Sequence, residues 1–210
     1  MTSYCMYTLY IALVILFLIY SIKKNDKVKS VDYDVKSYKT HNKKELETII
    51  KQNKNPVIFI DVPTIPTLNK TTFFNHLNLF FIPNFFTYKF TANTNDIHTT
   101  TPIKKNINHR HTLLCNKGSI KLVIFNTNQE PSLYIKPNAI KSPVNFWKVN
   151  LSEYPLMKQV RYIEIIIYDN QLVYIPYGWW YSIYYLEKST IIEHVSESYL
   201  SHFIQSIRHF

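Results

Sequence analysis

Glycine is almost missing from this chain: 210 residues contain only two, Gly118 and Gly178. A Gly-rich phosphate loop or a dinucleotide-binding turn cannot be assembled from them, so nucleotide-binding folds of those types are excluded. Cysteine is equally scarce. Cys5 falls in an apolar N-terminal run and Cys115 stands alone, which rules out a disulfide framework and a Cys-based zinc ribbon. That usage suits a reducing compartment. Charged residues make up only 18%, against 46% hydrophobic and 16% aromatic. Apolar surface on this scale supports a real core and excludes wholesale disorder. The richness in Asn, Lys, Ile and Tyr points to an AT-rich genome.

Acidic residues are in short supply, 14 against 24 Lys and Arg, for a net charge of +10. Residues 23–54 hold ten of the lysines and five of the acids. Nucleic-acid binding needs basic residues interleaved with exposed aromatics on a folded face, and this segment offers only Tyr33 and Tyr38. Nucleic acid is therefore not expected as a partner, and residues 23–55 read as a basic polar tether. Ahead of it, Met1 to Ile22 carries no charge and approaches the ~20 apolar residues that span a bilayer as a helix. Tyr4, Tyr7, Tyr10 and Tyr20 sit toward its ends, where amphipathic rings prefer the interface. A cleaved signal peptide would need a basic start and a small-x-small cleavage site, and neither is present. The expectation is a transmembrane signal-anchor over 1–22 with the lipid bilayer as partner. The lysines that follow keep the C-terminal part cytoplasmic in a single-pass protein.

After Pro56 the pattern becomes β-rich. Strands are expected at Val57–Asp61, Phe85–Phe90, Thr112–Cys115, Ile120–Phe125, Ser132–Ile135, Arg161–Tyr168, Leu172–Ile175, Trp180–Leu186 and Thr190–Val195. One helix is expected over Thr71–Phe81. Many short strands at close spacing argue an antiparallel sandwich or barrel, and Asp169-Asn170 fits a tight hairpin. Leu200, Phe203, Ile204, Ile207 and Phe210 have the spacing of an amphipathic helix over 198–210.

Two stretches carry a resemblance. One is Thr112-Leu-Leu-Cys-Asn-Lys-Gly-Ser-Ile-Lys-Leu-Val-Ile-Phe125 with Gln129-Glu-Pro-Ser-Leu-Tyr134. The other is Asp169-Asn-Gln-Leu-Val-Tyr-Ile-Pro-Tyr-Gly-Trp-Trp-Tyr-Ser-Ile183. Both glycines of the chain fall in them. Together they resemble the cupin-like JmjC dioxygenase family, in its asparaginyl-hydroxylase-like branch, over residues 56–197. The resemblance implies an all-β fold with peripheral helices, a cupin-like double-stranded β-helix or jelly roll, preceded here by one transmembrane helix.

The family's chemistry rests on a His-x-Asp and a distant His that bind Fe(II) and leave room for 2-oxoglutarate and oxygen. The resemblance places those three ligands on Asn106, Asn108 and Tyr181, so the metal positions are degenerate. Neutral amides and a protonated phenol are poor substitutes for imidazole and carboxylate. Lys121 stands where the family's lysine pairs with 2-oxoglutarate, although an ordinary strand lysine with its head in solvent fits as well. With Thr112 and Trp180 it makes up the expected co-substrate or ligand pocket. Trp179, Trp180 and Tyr177 also fit plain core positions. A second register exists in His109-Arg110-His111, a His-x-His that opens the metal motif of ordinary cupins. Cys115 stands where that motif expects a Glu, and His98, His194 and His202 are placed by no motif. A solvated turn is the plain reading of such a His pair.

The chain is thus expected to be a membrane-anchored binding or structural protein that needs no cofactor. The rivals are an Fe(II) and 2-oxoglutarate hydroxylase with ligands relocated to His109 and His111, and an aromatic-rich scaffold with an empty barrel. The terminal helix adds an expected homodimer contact; no protein partner is named by the sequence.

Overall fold

The computed structural model describes residues 7, 10, 13, 16, 33, 35–39, 43–62, 86–108 and 110–198. The chain divides into two compact units, Met1–Val31 and Asp32–Phe210. In the first, Tyr7, Tyr10, Leu13 and Leu16 are helical and exposed. Among the described residues no helix is long and apolar enough to cross a membrane. The remainder of the expected 1–22 span lies outside them, as do the expected helix at 71–81 and residues 199–210 of the expected terminal helix, whose first residue, Ser198, is the end of a strand.

Among the described residues the second unit holds ten strands: β1 (Lys36–Lys39), β2 (Val57–Ile60), β3 (Phe86–Asn95), β4 (Lys104–Lys105), β5 (Arg110–Lys117), β6 (Ile120–Phe125), β7 (Ile163–Ile167), β8 (Leu172–Ile175), β9 (Trp180–Tyr185) and β10 (Ser189–Ser198). They form a six-stranded sheet in the order β1-β2-β8-β5-β10-β3 and a four-stranded sheet in the order β4-β9-β6-β7. Among these ten strands only β1 and β2 pair in parallel. From β5 to β10 every connection but β6–β7 crosses from one sheet to the other, the alternation that builds a jelly roll. Gly118, at φ +89°, turns β5 into β6. A Cβ there would sit 2.9 Å from the Lys188 carbonyl oxygen, so the turn admits only glycine.

Alternation along each strand sorts side chains between the interior and the two outer faces. Ile120, Leu122 and Ile124 share a face with their partners Tyr185, Ile183 and Tyr181. On the opposite face Val123, Phe125 and Trp180 pack with Ile103, Leu133, Val144, Met157 and Val160. The segment that covers them is held by short 3-10 turns at Thr127–Gln129, Phe146–Lys148 and Pro155–Gln159. The six-stranded sheet has its own cover. Leu46 and Ile50, one turn apart on the helix Lys43–Gln52, pack against Val57, Phe59, Leu172, Tyr174 and Ile192.

Three expectations need correction. The stretch 23–55 is not all tether, because Lys36–Lys39 and Lys43–Gln52 are structured parts of the β domain; lysine-rich sequence hid a helix with one apolar edge. Ser132–Ile135 is turn and coil rather than strand, with Leu133 buried beneath the 3-10 turns. Asp169-Asn170 forms a turn, closed by the Gln171 amide donating to the Tyr168 carbonyl at 3.1 Å, but it is no hairpin. Its flanking strands belong to different sheets.

Candidate functional site: a carboxylate hub between the sheets

β5 and β10 pair so that His111 and Glu193 lie on the face occupied by Leu113, Cys115 and Ile191. From the other sheet, β4 and β9 pair Lys104 with Tyr181. These four side chains converge on one atom. Glu193 Oε1 accepts from Lys104 Nζ at 3.3 Å and from Tyr181 Oη at 3.1 Å, and lies 2.7 Å from His111 Nε2. A carboxylate only accepts, so the imidazole proton sits on Nε2 and His111 donates. The Tyr181 ring stands edge-on to His111, centroids 5.1 Å apart, and the Lys104 ammonium lies 4.9 Å from the centre of the same ring.

Burial and charge set the protonation states. Burial lowers the His111 pKa against the opposing pull of Glu193, so the imidazole is neutral near pH 7. Burial alone would raise Glu193. The hydrogen bond and charge of His111, and the ammonium of Lys104, outweigh it and hold the carboxyl at about 2. Near pH 7, where His111 is neutral, the stabilisation of the Glu193 carboxylate comes from Lys104 and the donated hydrogen bonds. Burial, then Glu193, drives Tyr181 well above 10, so it remains a phenol donor. The cluster is a Lys⁺ and Glu⁻ pair with two neutral donors, balanced in charge. It borders a cavity of about 330 Å³ between the sheets, lined by Lys104, Glu193, Asn93, Thr101, Tyr185 and Ile191 among others.

The other anticipated residues lie elsewhere. Asn106 is buried, its amide donating to the carbonyls of Ile175 at 2.8 Å and Pro176 at 3.0 Å while its oxygen accepts from the Asn108 backbone at 3.0 Å. Its own backbone bonds to Trp179 and Gly178, so Asn106 ties the exit of β4 to the turn before β9. Asn108 is half-buried and does not join Tyr181. The expected pocket of Lys121, Thr112 and Trp180 does not form. Lys121 pairs with Glu164 at 2.9 Å, and Trp180 is buried in the outer core with its indole donating to Glu130 Oε1 at 2.9 Å. Thr112 is buried on the outer face of the other sheet, opposite His194. A one-residue step along a strand flips a side chain to the other face, which separates Trp180 from Tyr181 and Thr112 from His111. His109 lies outside the described residues.

A divalent metal does not fit this centre. His111 and Glu193 are two donors of suitable type, but the Glu193 oxygen already serves three partners, and Lys104 places a positive charge against it. Among the described residues no group of three His, Cys, Asp or Glu side chains converges as a metal site would require. Lys104 and Glu193 were not singled out by sequence. A Glu embedded in the apolar run Thr190-Ile-Ile-Glu-His-Val195 was the available signal; Lys104, in a polar stretch, gave none.

Two sheets, antiparallel apart from the β1–β2 pair and wound as a jelly roll, give a cupin-like architecture. Residues 93–195 match the family model described as a cupin-like domain. No curated protein matches the chain in sequence. Solved structures similar to it include the CENP-C cupin domain of Drosophila melanogaster, 11% identical with a TM-score of 0.34 over 51% of this chain and 59% of that one. The rmlC epimerase of Mycobacterium tuberculosis is 10% identical, with a TM-score of 0.32 over 51% and 44%. The WlaRB TDP-quinovose 3,4-ketoisomerase of Campylobacter jejuni is 9% identical, with a TM-score of 0.34 over 53% and 62%. The chain thus covers less than two thirds of each of these three structures.

Proposed function

We propose that this chain is a membrane-anchored, cupin-like binding protein without catalytic activity, in which an internal ion pair stands where a metal centre would be built. The observation that carries the reading is the single oxygen of Glu193 shared by Lys104, His111 and Tyr181. A carboxylate satisfied by an ammonium and two neutral donors has no net charge to offer a cation, and displacing Lys104 would cost the pair its compensation. The adjoining cavity, at about 330 Å³, has the size at which small-ligand pockets begin. Descent from the asparaginyl-hydroxylase-like JmjC branch belongs to the same reading, supported by Gly118 in its turn and by Ile175-Pro-Tyr-Gly-Trp-Trp180.

The test is the metal content of the full chain, purified in detergent without chelator, with 2-oxoglutarate turnover measured alongside. Iron well below stoichiometry and no turnover are expected. Stoichiometric Fe(II) that disappears on His111→Ala would overturn the reading and favour the 2-oxoglutarate hydroxylase with ligands at His109 and His111.

A further inference from the structure

Side chains alternate along β4: Lys104 enters the hub, and Lys105, one residue on, takes the opposite face beside Trp180. There it borders a pocket of about 760 Å³, within the size range of sites that enclose small organic molecules. Its ammonium is held in place. Lys105 Nζ donates to Glu130 Oε1 at 2.7 Å, the Trp180 indole donates to the same oxygen at 2.9 Å, and the ammonium lies 5.4 Å from the centre of the Trp180 ring. The Lys105 backbone N–H donates to the Ile140 carbonyl at 2.9 Å, which ties another part of the lining to β4.

Charge and apolar contact together specify what this pocket can hold. The charged groups of its lining are Lys105, Lys136 and Glu130, a net of +1. Glu130 is matched by Lys105, whereas the exposed ammonium of Lys136 makes no ion pair or hydrogen bond among the described residues. The spare hydrogen-bonding groups have the same bias. The Asn128 side-chain oxygen already accepts from Gln129 Nε2 at 3.1 Å, so its amide offers donors, and Lys105 retains two N–H groups after pairing with Glu130. The lining also presents aliphatic surface: Ile107 and Ile135 are half-buried, and Ile140 is 45% exposed. Covering such surface favours a ligand with an apolar body. No arginine lines the pocket, and a surplus of one ammonium matches a single carboxylate better than a phosphate dianion.

We propose that this pocket binds a small organic monoanion, a carboxylate with an apolar body, its charge facing Lys136 and Lys105 and its body against Ile107, Ile135 and Ile140. The site lies on the other face of β4 from the hub and does not depend on whether the hub holds a metal.

The test uses the full chain in nanodiscs of neutral lipid, with para-fluorophenylacetate as the probe and its neutral amide, para-fluorophenylacetamide, beside it, both followed by fluorine NMR. The carboxylate should bind saturably and about tenfold or more tighter than the amide. Lys136→Glu should weaken carboxylate binding by about tenfold, because an attraction becomes a repulsion. Lys148→Glu changes net charge equally at an exposed lysine outside the pocket and should leave binding unchanged. Absence of saturable binding to the parent overturns the proposal. Equal affinity for carboxylate and amide does so too, as does an equal loss in Lys136→Glu and Lys148→Glu, which would reduce the effect to overall charge.

Discussion

Glu193 shows how one side chain sets the character of an interior. Its carboxyl, His111 and His194 all bind protons less readily in the folded chain than in the unfolded one. For His194, burial first, then the nearby His111 and Arg110, brings the pKa from 6.5 to about 4. The unfolded state therefore takes up protons first as pH falls. The His194 contribution is complete above 6.5 and is lost as pH falls toward 4; that of Glu193 is complete above 4.5 and is lost toward 2. Unfolding in urea should show stability falling by about 3 kcal/mol between about pH 7 and pH 4 from His194 alone. In His194→Gln that slope should flatten, and an unchanged pH profile in the variant would contradict the assignment. The residue scale is also where reading from sequence had least purchase: Tyr181 and His111 were singled out as metal positions in two different registers, but Lys104 and Glu193, which bring them together, were not.

At the scale of elements, the helix Lys43–Gln52 shows how composition can mislead. Ten lysines among the residues of 23–54 look like solvated chain. Yet Leu46 and Ile50 lie four apart, hence on one helical face, and both are buried against the outer face of the six-stranded sheet. Leu46→Ala should lower the unfolding free energy by about 2–5 kcal/mol, as for other buried leucines, measured by denaturant titration. A tether residue would leave it unchanged. The strands with strong local signals, Ile120–Phe125 and Leu172–Ile175, were legible residue for residue because turn formers bound each apolar run. Ser132–Ile135 had apolar residues but no ladder partner, so it became a turn that buries Leu133.

For the whole molecule, the outstanding expectation is attachment to a membrane by residues 1–22, with the domain on the cytoplasmic side. The basis is an uncharged run followed by Lys23 and Lys24. The full chain should stay in the pellet through carbonate extraction. Protease added outside intact microsomes should digest the β domain; protection of that domain would reverse the orientation, and release by carbonate would remove the anchor.

What the sequence determined by itself was what contiguous residues encode: the β-rich class, most strand positions, the basic stretch and the exclusion of nucleotide loops. These depend on periodicity and backbone preference within a few neighbours. Only the tertiary structure decided which strands share a sheet, which face each side chain takes and which residues meet. Lys104 and Glu193 are 89 positions apart, and their contact exists only because β4 and β10, in opposite sheets, bring them to one cleft. A single step of register decides whether a side chain reaches that interior. That step placed His111 and Tyr181 at the hub and put their neighbours Thr112 and Trp180 on the outer faces.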